Sequence, residues 1–145
     1  MGRPALAART RWGTFPTTAD MGLWARSSTA DGLFSGLGTG LFAVMTDLRR
    51  VQPREVRTVS SKGAGLSELV VAFLSELLLL EDSESFVGGR VVARLGPGAR
   101  TVSADVIGEP WDATRHVRRT DVKAATYHRL VVSLDPPRAR VILDI

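Results

Sequence analysis

Between residues 66 and 81 the chain carries an apolar stripe that only a buried helix can use. Leu66, Leu69, Val70, Phe73, Leu74, Leu77 and Leu78 recur at three- and four-residue spacing, and Leu79 and Leu80 widen the stripe at its C-terminal end. Glu68, Ser75 and Glu76 leave one wet side. A helix with so broad an apolar face has to be covered by a sheet or by another helix. The rest of the chain supplies both.

A second helix is expected after Ser27-Ser28-Thr29-Ala30-Asp31, with Ser28 as N-cap and Asp31 three residues on in the manner of a capping box. Leu33, Phe34, Leu37, Leu41, Phe42 and Met45 paint its buried face. Gly32, Gly36, Gly38 and Gly40 each cost a helix up to about 1 kcal/mol relative to Ala, and close packing against a sheet is the expected reason for them. The Gly-x-Gly-x-Gly run is not a phosphate loop. It does not join a strand to a helix start, and no Gly-Lys-Ser/Thr ending follows it.

Strands are expected at 11–16, 23–26, 54–60, 87, 91–95 and 100–108, with turns at 17–22, 61–65 and 96–98. In the second of these Leu23 and Ala25 share one face, and Trp24 and Arg26 the other. The acidic stretch 81–85 reads as a solvated linker, and 113–116 as one helical turn. Two β-branched and aliphatic runs, 130–134 and 139–143, flank Asp135-Pro136-Pro137 and form a hairpin signal. The expected fold is α+β: a single domain over 11–145 with two main helices packed on a mixed, mostly antiparallel sheet, behind a short disordered leader at 1–10.

Composition removes several chemistries. There is no cysteine, so disulfides, zinc-thiolate sites and thiol nucleophiles are excluded. No run of about 18 uncharged apolar residues spans a membrane. The net charge is +4 and the pI 10.6, which invites a nucleic-acid reading. Lys62 and Lys123 are lysines and every other strong base is an arginine, scattered among equally scattered acids. Such scatter resembles a preference for Arg over Lys more than a binding stripe.

The hairpin has one consequence for chemistry. The chain stops where its last strand stops, so the Asp144 side chain and the Ile145 terminal carboxylate are held about one residue apart. Two negative groups at one held point are a candidate hard-cation or partner site, the plain alternative being a frayed, solvated terminus. Asp20 sits in the loop between the first two strands, where it can equally well stabilise a turn.

Taken in order, several segments resemble the archease family: Thr18-Ala19-Asp20-x-Gly22, Leu41-Phe42-x-x-Met45-Thr46-Asp47, Leu74-x-Glu76-Leu77-Leu78, Gly108-Glu109-Pro110 followed by Arg115-His116, Val122-Lys123-Ala124-x-Thr126-Tyr127-His128 and the closing Leu143-Asp144-Ile145. The match runs from about residue 15 to the last. The resemblance implies a small cytoplasmic α+β protein that is not itself an enzyme but an accessory to the RtcB-type RNA-splicing ligase. That ligase joins RNA ends carrying a 2′,3′-cyclic phosphate or 3′-phosphate to a 5′-hydroxyl through a histidine–GMP intermediate. The accessory promotes formation of that intermediate and keeps the ligase turning over.

By the same resemblance the metal positions are Asp20, Asp144 and the terminal Ile145, and Lys123 and His128 are possible contacts to the partner or nucleotide. An all-oxygen set suits Ca²⁺, Mg²⁺ or Mn²⁺ rather than zinc or copper, and the family favours Ca²⁺. The implied partner is the ligase, with RNA reached through it and no membrane. One position departs from the pattern: the family has His-Thr-Ala-Asp where this chain has Thr17-Thr18-Ala19-Asp20, so no titrating base or nitrogen ligand stands at 17. Two other classes remain open on the residues alone. One is a metal-dependent hydrolase built on the carboxylates with Lys123 and His128. The other is a metal-free, chaperone-like module that binds protein or RNA.

Overall fold

The structure, a computed structural model, describes residues 8–145. Its elements are β1 (Thr10–Pro16), β2 (Met21–Ser27), α1 (Ala30–Met45), β3 (Glu55–Lys62), α2 (Leu66–Glu84), β4 (Phe86–Leu95), β5 (Thr101–Pro110), β6 (Ala124–Ala125), β7 (Val131–Leu134) and β8 (Pro137–Asp144). Two sheets form. One has the order β1-β2-β8, with β6 and β7 both paired to the far edge of β8, and the other the order β3-β5-β4. All these strand pairs are antiparallel. The fold is α+β, two helices on antiparallel sheet. The expected leader falls mostly outside the described residues, and Thr10, its last position, already pairs with Ser27 in β1–β2.

Helix α1 lies between the sheets and is shaped differently on each side. Gly36 and Gly40 face the β1–β2 hairpin. A Cβ at Gly36 would stand 2.7 Å from Thr10 Cγ2, and one at Gly40 2.9 Å from Leu23 Cδ1. Gly38 faces the other way, where a Cβ would meet Val91 Cγ1 at 2.8 Å. The glycines that weaken the isolated helix are therefore what lets two sheets approach it at once.

The second device on α1 is polar. Strand β4 is an edge of its sheet, and its outward amides need partners. They find them on the helix. Leu95 N–H donates to Asp31 Oδ1 (2.9 Å), Ala93 N–H to Ser35 Oγ (2.9 Å) and Val91 N–H to Thr39 Oγ1 (3.0 Å). Three side chains at four-residue spacing thus close an open strand edge. The N-cap of α1 is Thr29, whose Oγ1 accepts from Gly32 N–H at 2.9 Å, and not Ser28. Asp31 is taken up by the β4 edge, so no reciprocal capping box forms.

Helix α2 buries Leu69, Val70, Phe73, Leu74, Leu77 and Leu80, and Phe73 meets Phe34 of α1 edge-on at a centroid distance of 5.5 Å. The helix runs through residues 81–84, which were expected to be linker. It ends at Ser85, whose φ of 50° turns the chain out of the helix. That last turn is exposed and acidic, so it carries no apolar periodicity to reveal it. The expected strands at 87 and 91–95 are one strand, β4, irregular between Gly88 and Arg90. Gly88 faces Gly108, where a Cβ would run into the Val87 carbonyl.

Ser35→Ala and Thr39→Val each strand one β4 amide. Each is expected to cost about 1–2 kcal/mol in urea unfolding, with the denaturant slope unchanged. An unmoved midpoint in both would show that the edge amides are satisfied without the helix.

Candidate functional site

The β2–β8 register decides what meets at the end of the first sheet. Met21 pairs with Leu143. One residue further on each strand come Asp20 and Asp144, followed on β8 by Ile145, the chain end. Asp144 and Ile145 are exposed and Asp20 is half-buried. On the other side of β8, Ala124 pairs with Asp144, and Lys123 N–H donates to the Asp144 carbonyl at 2.7 Å. The strand end is thus flanked on both sides, and Asp20, Asp144, Ile145 and Lys123 share one corner of the molecule.

Thr17 has a role of its own. Asp20 N–H donates to Thr17 Oγ1 at 3.0 Å, closing the 17–20 turn that presents Asp20. A hydroxyl does here what needs only an acceptor. His128 does not join the corner. It lies on an exposed turn between β6 and β7, and it is neither in a strand nor partly buried. Thr126, two residues before it, already lies opposite Ile142, to whose carbonyl its N–H and hydroxyl both donate.

Asp20 and Asp144 put two carboxylate side chains at this strand end. Both are hard oxygen donors, the kind that suits a hard divalent cation more than a soft one. Among the described residues no group of three or more His, Cys, Asp or Glu side chains is placed to hold a metal. This corner has two such side chains, Asp20 and Asp144.

The position of Lys123 depends on the long crossover from β5 to β6, and that crossover is buckled around Glu109. Its carboxylate is 2% exposed. It accepts from Arg115 Nη1 and Nη2 (3.0 and 2.6 Å), from the Gln52 amide (2.8 Å) and from His116 Nε2 (2.8 Å). Asp112 N–H donates to His116 Nδ1 at 2.8 Å, so the imidazole hydrogen sits on Nε2 and points at Glu109. The crossover then runs along the end of α1, where Arg119 and Thr120 donate to the Met45 and Val44 carbonyls. Asp47 caps the short turn after α1 and is paired with Arg49 at 3.0 Å and with Arg119 at 3.6 Å. The hydrogen bonds from Arg115, then those from Gln52 and His116, hold the Glu109 carboxyl down at about 2 against the opposing effect of burial. The Arg49 side chain does the same for Asp47, also to about 2.

Two antiparallel sheets around a glycine-rich helix, with two aspartates at one strand end, define a small α+β protein. Residues 12–145 match the model of the archease protein family (MTH1598/TM1083). The chain belongs to the archease family. Protein archease of Thermococcus gammatolerans is 38% identical over 128 residues, covering 87% of this chain and 90% of that protein. Protein archease of Thermococcus kodakarensis is 34% identical over 128 residues, with the same coverage. The solution structure of Methanobacterium thermoautotrophicum protein 1598 superposes with a TM-score of 0.78 at 29% identity, covering 92% of this chain and 98% of that one.

A carboxylate whose folded pKa is depressed stabilises the fold above its unfolded pKa and loses that contribution as it is protonated. For Glu109 the window runs downward from 4.5 to about 2; Asp47 acts in the same direction, from 3.8 to about 2. The melting temperature should fall through this window. Glu109→Gln should lose about 3 kcal/mol near neutral pH and show a flatter acid limb. Parallel acid limbs for the two proteins would remove Glu109 from the account.

Proposed function

We propose that this chain activates an RtcB-type RNA-splicing ligase in the cytoplasm, promoting histidine–GMP formation and multiple turnover, and that it is not itself an enzyme. The observation that carries the reading is the β2–β8 register, which sets Asp20 beside the Asp144–Ile145 strand end with Lys123 on its other flank. Membership of the archease family supports it.

Asp20, Asp144 and the Ile145 carboxylate would hold one divalent cation, Ca²⁺ by family resemblance, with Mg²⁺ or Mn²⁺ also suited to the oxygens. When bound, the cation offsets the clustered negative charge and offers a positive point to an anionic group of the partner. Thr17 holds the Asp20 loop, and β6 holds the end of β8. Lys123 stands exposed beside the corner, free to meet nucleotide phosphate or an acidic ligase surface. The hydrolase alternative draws less support, because His128 lies on an exposed turn outside the strands that end at the carboxylates.

Two measurements test the reading. Adding the chain to a cognate ligase with GTP and metal should speed GMP loading and allow repeated turnover. Asp20→Asn, Asp144→Asn and a one-residue C-terminal extension should each abolish that gain. Equal loading with and without the chain across metals and pH sinks the proposal. Separately, Ca²⁺ at about 100 times its dissociation constant should stabilise the wild-type chain by about 2.7 kcal/mol, and Asp144→Asn should lose most of that shift. A shift retained in the variant would place the cation elsewhere.

A further inference from the structure

We propose that the outer face of the five-stranded sheet binds single-stranded RNA directly, over a cross-strand row of arginines and two flat-lying aromatic rings. This goes beyond ligase activation, in which RNA is reached only through the ligase. Only the choice of RNA over DNA rests on that reading.

One face of the sheet packs on α1, and the other is open except around Ile142, which is buried. Leu23, Ala25, Ala139, Val141 and Leu143 point toward α1 and are buried. By strand alternation the intervening residues point outward. Arg11 pairs with Arg26, and Arg26 pairs with Arg138, so three arginines lie side by side across three strands. Arg140, two residues from Arg138, stands opposite Trp24 in the next row. All four arginines are exposed. Like charges directly opposite each other destabilise a sheet, and no carboxylate relieves them: among the described residues none of the four is in an ion pair. Elsewhere Arg57, Arg94 and Arg115 sit on carboxylates. A row of uncompensated positive charge on a flat surface is complementary to a polyanion.

The rings decide which polyanion. A Cβ at Gly13 would lie 2.9 Å from three atoms of the Trp24 indole at once, and one at Gly22 would run into the Phe15 ring. Each ring therefore lies across a bare stretch of neighbouring backbone, with its other face turned away from the sheet. Arg140 stands over Phe15 at 4.2 Å and Arg26 over Trp24 at 5.4 Å. A groove of about 350 Å³ opens among these side chains and the exposed Val131. Rings with guanidinium groups over them, on an open sheet, suit unpaired bases, which stack on aromatic and guanidinium planes alike, and their phosphates. A duplex has no free base faces, and an acidic peptide would use the arginines but not the rings. Asp20 and Asp144 close the track at one end, so the strand lies over the arginine rows.

The test uses the purified chain without ligase, so its failure leaves ligase activation standing, and the reverse. A labelled RNA of about ten nucleotides should bind, with quenching of tryptophan fluorescence. Log affinity should fall with log salt at a slope of about −3 for four phosphate contacts. Arg26→Ser should weaken binding and reduce the slope by about 0.7. The same change relieves the repulsion, so it should raise the melting temperature by about 2 °C at low salt; a variant that failed to fold could not do this. Trp24→Leu should weaken binding about tenfold with little change in slope. Arg94→Ser, on the other sheet, should have no effect. The proposal is overturned by any of three results: no binding at about 100 μM protein in low salt, equal loss in Arg94→Ser, or duplex RNA or polyglutamate binding as tightly while Trp24→Leu is neutral.

Discussion

The edge of β4 is closed by a helix, and the rest of the architecture depends on that junction. Four residues of α-helix rise about 6 Å, and two residues of strand advance about 6.8 Å. Side chains at 31, 35 and 39 can therefore keep step with the amides of 95, 93 and 91 for three rungs before the two periods drift apart. The sequence stops the ladder there, since the next position, 43, is Ala. Short side chains are required, because a longer one would hold the helix off the strand. The same closeness on the adjacent helix face is met by Gly32, Gly36 and Gly40. One helix thus replaces a missing strand on one side and presents a nearly bare backbone on the other.

That junction fixes the first sheet relative to the second, and the first sheet holds the aspartate corner. With α1 pressed against β2 and β8, the two strands are held in a register that leaves no freedom at their shared end. A slip of one residue would turn Leu143 and Leu23 to solvent and Ile142 and Trp24 to the core. The corner is then secured from the far side by β6, and β6 is delivered by the crossover wound around Glu109. The buried carboxylate is held by the Arg115 guanidinium and the neighbouring His116 imidazole from the crossover, and by the Gln52 backbone N–H from a distant stretch of the chain. Its place is in positioning the crossover, at a distance in sequence from the residues it helps to place.

What could be read from the linear chain followed from signal that is local. The apolar stripe of α2 and the closing hairpin are repeated patterns, and both are where their periodicity put them. The last turn of α2 was missed because its side chains are acidic and wet. The two-residue β6 has no pattern to detect. Thr29 and Ser28 are both good caps, and the choice between them is made by the strand that precedes the helix. The corner was half legible: a strand that ends with the chain holds Asp144 near Ile145. Asp20 entered through family resemblance, since β2 and β8 are at opposite ends of the sequence and their pairing has no local signature. Lys123 came the same way. The arginines looked scattered because Arg11, Arg26 and Arg138 are far apart in sequence, and only cross-strand register lines them up.

Register also gives the outer face of the first sheet a direction. Read along β8 every second residue outward, the order is Arg138, Arg140, Ile142, Asp144; along β2 in the opposite sense it is Arg26, Trp24, Gly22, Asp20. Both central strands therefore pass from positive through apolar to negative along the same line. Antiparallel neighbours place equal steps side by side, so the two gradients add instead of cancelling. The face has a cationic end, an aromatic middle and an acidic end. An extended anion laid along such a surface is drawn to the arginine end and repelled from the aspartate end. The proposed cation site and the proposed RNA face are in this sense two ends of one electrostatic surface, set by the pairing of two strands.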